Sequence, residues 1–504
     1  MNSRIRRLAI VLLLCYGALV GRLTLTQVVQ APALDDSPAN GRKLAQEFAK
    51  PRGEIVTADG TVVASSTKVG MTRYQRHYPT DDLFAHVVGS YSPLFGSDGV
   101  ERSYGDQLSG NTNDFRFDGF FERGDESPNV GTVHLTLRDR VQEEARAALG
   151  TRKGSVVAID PRDGAVLAMW SYPSYNPNLT ADLNSDAAKK FKEAYDRSPD
   201  KPRLAKAFRD RFFPGSTFKV VTAAAGLESG RVTDDDPSYP PTRQYTPPLT
   251  SRPIRNFDGE SCGGALPELL RVSCNVGFSR MGAELLGPEI MTDTAEQFGF
   301  NDVPPLDVPG AVPSVFPTDW GRRLSGPRTP GGADVYERTP LLAQAAIGQN
   351  DVSATPLQMA LVAGAVGTDG RILAPHVVDS VTNRRGRNVM TYEPKVWRTP
   401  LTGASVATLH DDMVGVVTGG TASRMALSGV VVGGKTGTAQ LGTTPPRSHA
   451  WVIGFAGPPG APAEVAVAVL VEGQQGASEQ TGGRVAAPIA KRVIEAALAV
   501  QAGG

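Results

Sequence analysis

An excess of charge of either sign is the first thing this chain lacks: 52 Lys and Arg offset 52 Asp and Glu over 504 residues. A net charge of zero offers nothing to a polyanion, so a nucleic-acid partner is not expected. Histidine is scarce, with six residues and no H-x-x-x-H or comparable cluster. No metal centre is expected from such spacing, and the reading calls for no cofactor. Cysteine is scarcer still: Cys15, Cys262 and Cys274, too few for more than one bridge. Acidic residues are missing altogether before Asp35.

The start of the chain fills that acid-free gap. Arg4, Arg6 and Arg7 precede an apolar run from Leu8 to Val20, followed by Arg22 and a half-polar tail to Gln30. A basic flank before an apolar segment leaves the N-terminus in the cytoplasm and sends the rest outside. The run is short against the ~20 residues of a full span, but Arg22 can snorkel and the tail can extend it. An uncleaved single-pass anchor over residues 1–30 is therefore expected, at the cell membrane with the remainder extracytoplasmic. The rival is a cleaved leader ending at Ala31-Pro32-Ala33, which lies far from the apolar core and contains an awkward proline.

Composition beyond the anchor is globular, with 40% hydrophobic and 21% charged residues, and the length calls for two or three units. Residues 31–150 read as a smaller N-terminal domain. Its strands flank the Asp59-Gly60 turn, and charged, Gly-rich stretches at 105–118 and 123–128 interrupt it. His77 and His86 read as surface or packing residues. Residues 151–504 read as the main domain. It has a hairpin over 155–170, a polar helical stretch over 182–209 and helices around position 273. A strand over 429–438, two more strands and an apolar C-terminal helix over 485–500 follow. Strands and helices mix without a βαβ rhythm, so the fold class is α+β.

Chemistry concentrates in three stretches. In Phe213-Pro214-Gly215-Ser216-Thr217-Phe218-Lys219 a Pro-Gly turn meets an apolar run, Val220 to Leu227, that reads as a helix. Ser216 and Lys219, at i and i+3, share a face. A serine hydroxyl is a weak nucleophile until a base takes its proton, and a desolvated, neutral lysine can do that. The helix N-terminus favours the anion that forms. Alone, S-x-x-K is weak, and Ser216 could be a mere cap. Downstream, however, come Ser273-Cys274-Asn275 and Lys435-Thr436-Gly437-Thr438. The ordered set S-x-x-K, S-x-N, K-T-G belongs to penicillin-binding proteins and related β-lactamases. In it Ser273 can relay a proton between Lys219, Lys435 and a leaving amine. Asn275 can hold a substrate amide, Lys435 supplies charge, and Thr436 and Thr438 offer hydroxyls to a carboxylate. Gly437 admits close backbone approach.

The chain thus resembles the class B penicillin-binding proteins, and within them the actinobacterial penicillin-binding protein A group. Pro51-Arg52-Gly53-Glu54-Ile55, Gly99-Val100-Glu101, Ala346-Ile347-Gly348-Gln349, Thr355-Pro356-Leu357-Gln358-Met359-Ala360 and His449-Ala450-Trp451 carry the likeness over nearly the whole chain. The resemblance implies an antiparallel sheet flanked by helices, above an N-terminal pedestal of dimerisation type. It implies D,D-transpeptidation, the cross-linking of peptidoglycan stem peptides through a serine acyl-enzyme. Acylation by β-lactams and an oxyanion hole from the Ser216 and Thr438 amides go with it. So do a membrane location and a polytopic glycosyltransferase of the division machinery as partner. Alternatives are a D,D-carboxypeptidase and a non-catalytic scaffold or β-lactam sensor. A β-lactamase of class A would add E-x-x-L-N, which is missing between Asn275 and Lys435. In an oxidising compartment, a Cys262–Cys274 bridge bracing the S-x-N loop is the cysteine hypothesis, with two buried thiols as its rival.

Overall fold

The structure, a computed structural model, describes residues 2–25, 48–71, 73–112, 130–444, 447–473 and 481–502. The Ala31-Pro32-Ala33 site, the stretch 123–128 and the second half of 105–118 lie outside those residues. Helix α1 (Asn2–Thr24) continues through Arg22, and at 1.5 Å per residue its 23 residues extend about 35 Å, enough for a hydrocarbon core. Its large apolar side chains, from Ile5 to Leu23, are exposed. Thr24 returns its hydroxyl to the Val20 carbonyl one turn back, at 2.9 Å. Among the described residues it is the one helix long and apolar enough to cross a membrane.

Strands β1 (Ile55–Val56), β2 (Val62–Val69) and β3 (Arg73–His77) form antiparallel pairs. The turn between β1 and β2 closes where Thr57 donates to Asp59 and Gly60 takes φ 88°. Helix α2 (Gly99–Ser103) is capped by Asp98, whose carboxylate accepts the Gly99 amide. It carries Glu101 into a wholly buried position, where Arg52 Nε at 2.6 Å and Arg76 Nε at 2.5 Å donate to its two oxygens. Tyr78 Oη adds a third contact at 3.3 Å. Strand β4 (Thr132–Leu135) then lies parallel to β1.

Helix α3 (Asp139–Leu149) buries Val141, Ala145 and Leu149, and packs on β6 (Val166–Tyr172), the partner of β5 (Gly154–Ile159). Gln142 on α3 donates to the Leu83 and Met169 carbonyls and accepts the Met169 amide. Every residue of β5 is buried, the pattern of a strand covered on both faces. The stretch 182–209 divides into a polar helix over 185–197 and the short α4 (Lys206–Arg209). A 3-10 turn (Gly215–Phe218) runs into α5 (Lys219–Glu228). Helices α6 (Leu266–Arg271) and α7 (Asn275–Arg280) bracket Ser273. The Pro- and Thr-rich segment between them and α5 is ordered by two short ladders, 239–242 with 262–264 and 244–245 with 254–255. Helix α8 (Pro356–Gly367) is buried throughout and capped by Thr355.

The chain next returns to the N-terminal unit. Strands β7 (Val378–Thr382) and β8 (Asn388–Thr391) extend its sheet, giving the order β8-β7-β4-β1-β2-β3. After α9 (Gly403–Gly419) come β9 (Val431–Gln440), β10 (Ser448–Gly457) and β11 (Val465–Val471), which with the earlier hairpin make the antiparallel order β9-β10-β11-β5-β6. Helix α8 covers one face of this sheet, and α10 (Ala487–Ala502) with α3 the other.

Two elements tie the N-terminal unit to the rest of the chain near and beyond residue 150. Helix α3 is apolar on the face that meets the second sheet, so it goes with that sheet. Residues 378–391 supply two strands to the first sheet because β4 has an edge that must be paired.

Candidate active site

Three elements converge on one cleft of about 980 Å³, lined among others by Ser216, Ser273, Asn275, Thr436 and Thr438. The Ser216 turn is shaped by Gly215 at φ 53°, whose amide donates to Gly348 O at 3.0 Å, and by Thr217, whose hydroxyl donates to Pro214 O at 2.8 Å. Between these tied residues the Ser216 amide has no carbonyl partner among the described residues, as an oxyanion donor requires. Ser216 lies on the 3-10 turn just ahead of α5 rather than in the α-helix itself. Lys219 follows it into the protein interior. Beneath the turn, Phe218 stacks on Phe316 with ring centroids 5.4 Å apart.

The S-x-N turn is tight. Ser273 adopts φ 59°, a conformation that strains a residue with a Cβ and persists only when its surroundings enforce it. The enforcing contacts are visible: Ser273 N to Leu270 O at 3.2 Å, Cys274 N to Leu269 O at 2.8 Å, and a Cys262–Cys274 disulfide. Of the two cysteine readings the bridge is the one formed, and Cys15 is the free cysteine. Asn275, at the start of α7, donates Nδ2 to Arg255 O at 3.0 Å, which turns its Oδ1 toward Lys219.

The K-T-G strand β9 is the outer strand of its sheet. It pairs Lys435 with Ile453, Gly437 with Trp451 and Thr438 with Ala450. Alternation places Thr436 and Thr438 on one face, both on the cleft. Thr436 Oγ1 donates to Thr421 Oγ1 at 2.7 Å. Gly437 is irreplaceable on steric grounds, since a Cβ there would stand 2.8 Å from Pro214 O and 3.0 Å from Trp451 Cβ.

Two lysines meet on one hydroxyl. Lys219 and Lys435 are each 0% exposed. Lys219 Nζ lies 2.6 Å from Ser273 O, 2.7 Å from Asn275 Oδ1 and 3.3 Å from Ser273 Oγ. Lys435 Nζ lies 2.8 Å from the same Oγ and 2.9 Å from Thr436 O. Burial, and then the Lys435 charge, pull the Lys219 ammonium well below the ordinary lysine range. Burial alone brings Lys435 down to about 7. A neutral Lys219 would spend two N–H bonds on Ser273 O and Asn275 Oδ1 and keep its lone pair for a hydroxyl proton. Such a site can deprotonate a serine, relay a proton through Ser273 and hold an anion over Thr436 and Thr438.

All eight sequence-derived site residues fall in this one region. Gly348 and Gly482 were not among them. A Cβ at Gly348 would stand 2.2 Å from Gly215 O, and one at Gly482 would stand 3.0 Å from Gly437 N, so both let backbone press against the site. The signal for the first was its place in Ala346-Ile347-Gly348-Gln349. Thr421 had no signal, because its role exists only through Thr436.

Comparison with known proteins follows the same lines. Residues 154–495 match the penicillin binding protein transpeptidase domain, and residues 52–131 the penicillin binding protein A dimerisation domain. The chain is 36% identical to the peptidoglycan D,D-transpeptidase PbpA of Mycolicibacterium smegmatis, over 99% of both chains. It is similar to the structure of penicillin-binding protein A from M. tuberculosis as an imipenem acyl-enzyme complex, at a TM-score of 0.78 and 31% identity. That match covers 90% of this chain and 100% of the other. The penicillin G acyl-enzyme complex of the same protein matches at a TM-score of 0.78 and 32% identity, covering 89% of this chain and 100% of the other.

Proposed function

The chain belongs to the penicillin-binding protein transpeptidase family, and from that premise we propose that Ser216 is its acylated nucleophile and Lys219 the base that activates it. The protein is a serine-type peptidoglycan D,D-transpeptidase of cell-wall synthesis, with stem peptides as substrate and β-lactams as acylating ligands. The observation that carries the residue assignment is the convergence of two buried lysines on Ser273 Oγ beside Ser216.

A stem peptide ending in D-Ala-D-Ala lays its terminal carboxylate on Thr436 and Thr438, near Lys435, and its amide on Asn275. Lys219 takes the Ser216 proton, and Oγ attacks the penultimate carbonyl carbon. The Ser216 and Thr438 amides hold the resulting oxyanion. The peptide C–N bond breaks, the departing D-Ala amine gains a proton through Ser273, and a serine ester remains. The amine of a second stem peptide attacks that ester, an amide forms, and Ser216 regains its proton. Two moderate barriers replace one high one.

The remaining assignments follow the same reading. The apolar helix α1 fits a single-pass anchor, with its basic end cytoplasmic and the catalytic domain outside. Residues 31–150 are the pedestal and residues 151–504 the transpeptidase domain, with β7 and β8 of the latter completing the first sheet. Division is the process served, with a polytopic glycosyltransferase as partner.

The test is fluorescent-penicillin labelling of the full chain beside Ser216→Ala, with intact-mass measurement over time. A stable one-to-one adduct on the wild type, missing in the variant, is expected. An adduct on Ser216→Ala would overturn the nucleophile, and rapid hydrolysis of the drug would replace the transpeptidase reading with a lactamase.

A further inference from the structure

We propose that Asp98 and Arg209 are positioning residues for the nucleophile: they clamp α2 of the N-terminal unit to the segment bearing Ser216, and so set how fast Ser216 is acylated. The inference rests on the assignment of Ser216 made above.

Helix α2 is gripped at both ends by the catalytic domain. At its start, Asp98 accepts the Gly99 amide at 2.8 Å and two bonds from Arg209, Nη1 at 3.0 Å and Nη2 at 2.9 Å. Such a bidentate pair fixes direction as well as distance. At its end, Tyr104 donates to Asp307 Oδ2 at 2.9 Å. Asp307 also accepts the Val377 and Val378 amides at 2.8 and 3.0 Å, where β7 enters the first sheet. The middle of α2 cannot yield, because Glu101 is held between Arg52 and Arg76. The helix is therefore a fixed post.

From Arg209 two routes lead to the nucleophile. One follows the chain. Phe212 exchanges both backbone bonds with Ala354, N to O at 3.0 Å and O to N at 2.8 Å, and Gly215 N bonds Gly348 O, which sets the Ser216 turn. The other passes through space. Arg209 Nη2 donates to Pro309 O at 2.7 Å. Its guanidinium lies so close under Gly310 that a Cβ there would stand 2.7 Å from Nε. Val312 N bonds Phe208 O at 3.0 Å. The same loop ends at Phe316, whose ring lies face to face with Phe218 at 8°, between Ser216 and Lys219 in the chain. A displaced guanidinium thus shifts both the chain ahead of Ser216 and the ring beneath it. Misplacement of a reacting atom by about 1 Å can cost as much as 10²-fold in rate.

The experiment uses the full chain and a fluorescent penicillin at several concentrations, separating the binding constant K from the acylation rate constant k2. Asp98→Asn, which preserves shape, Arg209→Gln, Arg209→Lys and the Asn/Gln double variant are compared with the wild type, each with its thermal midpoint. We expect k2 about tenfold lower in Asp98→Asn and Arg209→Gln with K within about twofold. Arg209→Lys should fall between Gln and wild type, because it retains charge without the fork. The double variant should be no slower than the slower single, because both act through one contact. Wild-type k2 in a folded Asp98→Asn or Arg209→Gln chain overturns the proposal alone. So do effects that multiply in the double variant, or a change confined to K. A wild-type chain that takes no label overturns it together with the assignment of Ser216.

Discussion

At the scale of the residue, the chemistry rests on charges held where water cannot reach them. Lys219 and Lys435 share Ser273 Oγ at 3.3 and 2.8 Å, so the pair titrates as a unit and its apparent constants belong to both. In the proposed mechanism, both lysines protonated leave no base, and both neutral remove the positive charge beside Thr436 and Thr438. The acylation rate is therefore expected to be bell-shaped in pH, with a limb near the value of about 7 to which burial brings Lys435. Rate constants for penicillin acylation from pH 5 to 9 check this, and a flat profile would contradict it. The sign for stability is also determined. The folded value lies below the unfolded one of about 10.4, so between them the unfolded chain binds more protons, and this lysine's contribution improves as pH rises through that window.

Glu101 is the opposite case. Burial pushes its carboxyl up, but Arg76 and Arg52 outweigh that and hold it below the ordinary range. Its contribution is present above about pH 4.3 and is lost as acid reaches its depressed value. Glu101→Gln leaves the buried Arg76 and the partly buried Arg52 short of a counter-charge, an expected loss of about 3–5 kcal/mol read from urea unfolding. A loss under 1 kcal/mol would show that the arginines re-pair elsewhere.

At the scale of the element, the S-x-N turn depends on its brace. Ser273 sits at φ 59° next to a bridged cysteine. With its cysteines twelve positions apart, the loop closed by the bridge restricts the unfolded chain by about 3 kcal/mol in the entropic account. Cys262→Ser with Cys274→Ser is expected to destabilise by about 2–4 kcal/mol and to slow acylation, because Ser273 loses part of what holds its strained backbone. The bridge itself is checked by thiol titration of the denatured, unreduced chain. One thiol, Cys15, should react; three would refute the bridge.

At the scale of the whole molecule, the N-terminal sheet is incomplete without strands from more than 200 positions further along. Four of its strands come from 55–135 and two from 378–391. A fragment spanning 48–138 would expose the β4 edge that β7 covers, and it is expected to show no cooperative thermal transition by circular dichroism. Cooperative melting of that fragment would mean the donated hairpin is an accessory. The same interleaving joins the pedestal to the catalytic domain at α2, where Asp98 meets Arg209 and Tyr104 meets Asp307.

What could be read from the chain and what could not divide along a physical line. The helix of the anchor, the 154–172 hairpin and the three site stretches were legible because each is local. An apolar run, a turn flanked by β-formers and an i, i+3 pair all carry their consequence within a few residues. The order of the three stretches then identified the chemistry, since few reactions need those groups together. The sheet partners of two elements were not legible: α3 chooses its sheet by its apolar face, and β7–β8 theirs by an open edge 240 or more residues away. Neither partner is written near the element that needs it. Lys219, the proposed base, illustrates the same division. The sequence by itself determined that a lysine stands three residues after Ser216. Only the tertiary structure decided that this lysine is buried, that Lys435 and Ser273 reach it, and that its proton is therefore weakly held. Desolvation and charge proximity depend on what surrounds an atom in space, and no local pattern encodes that.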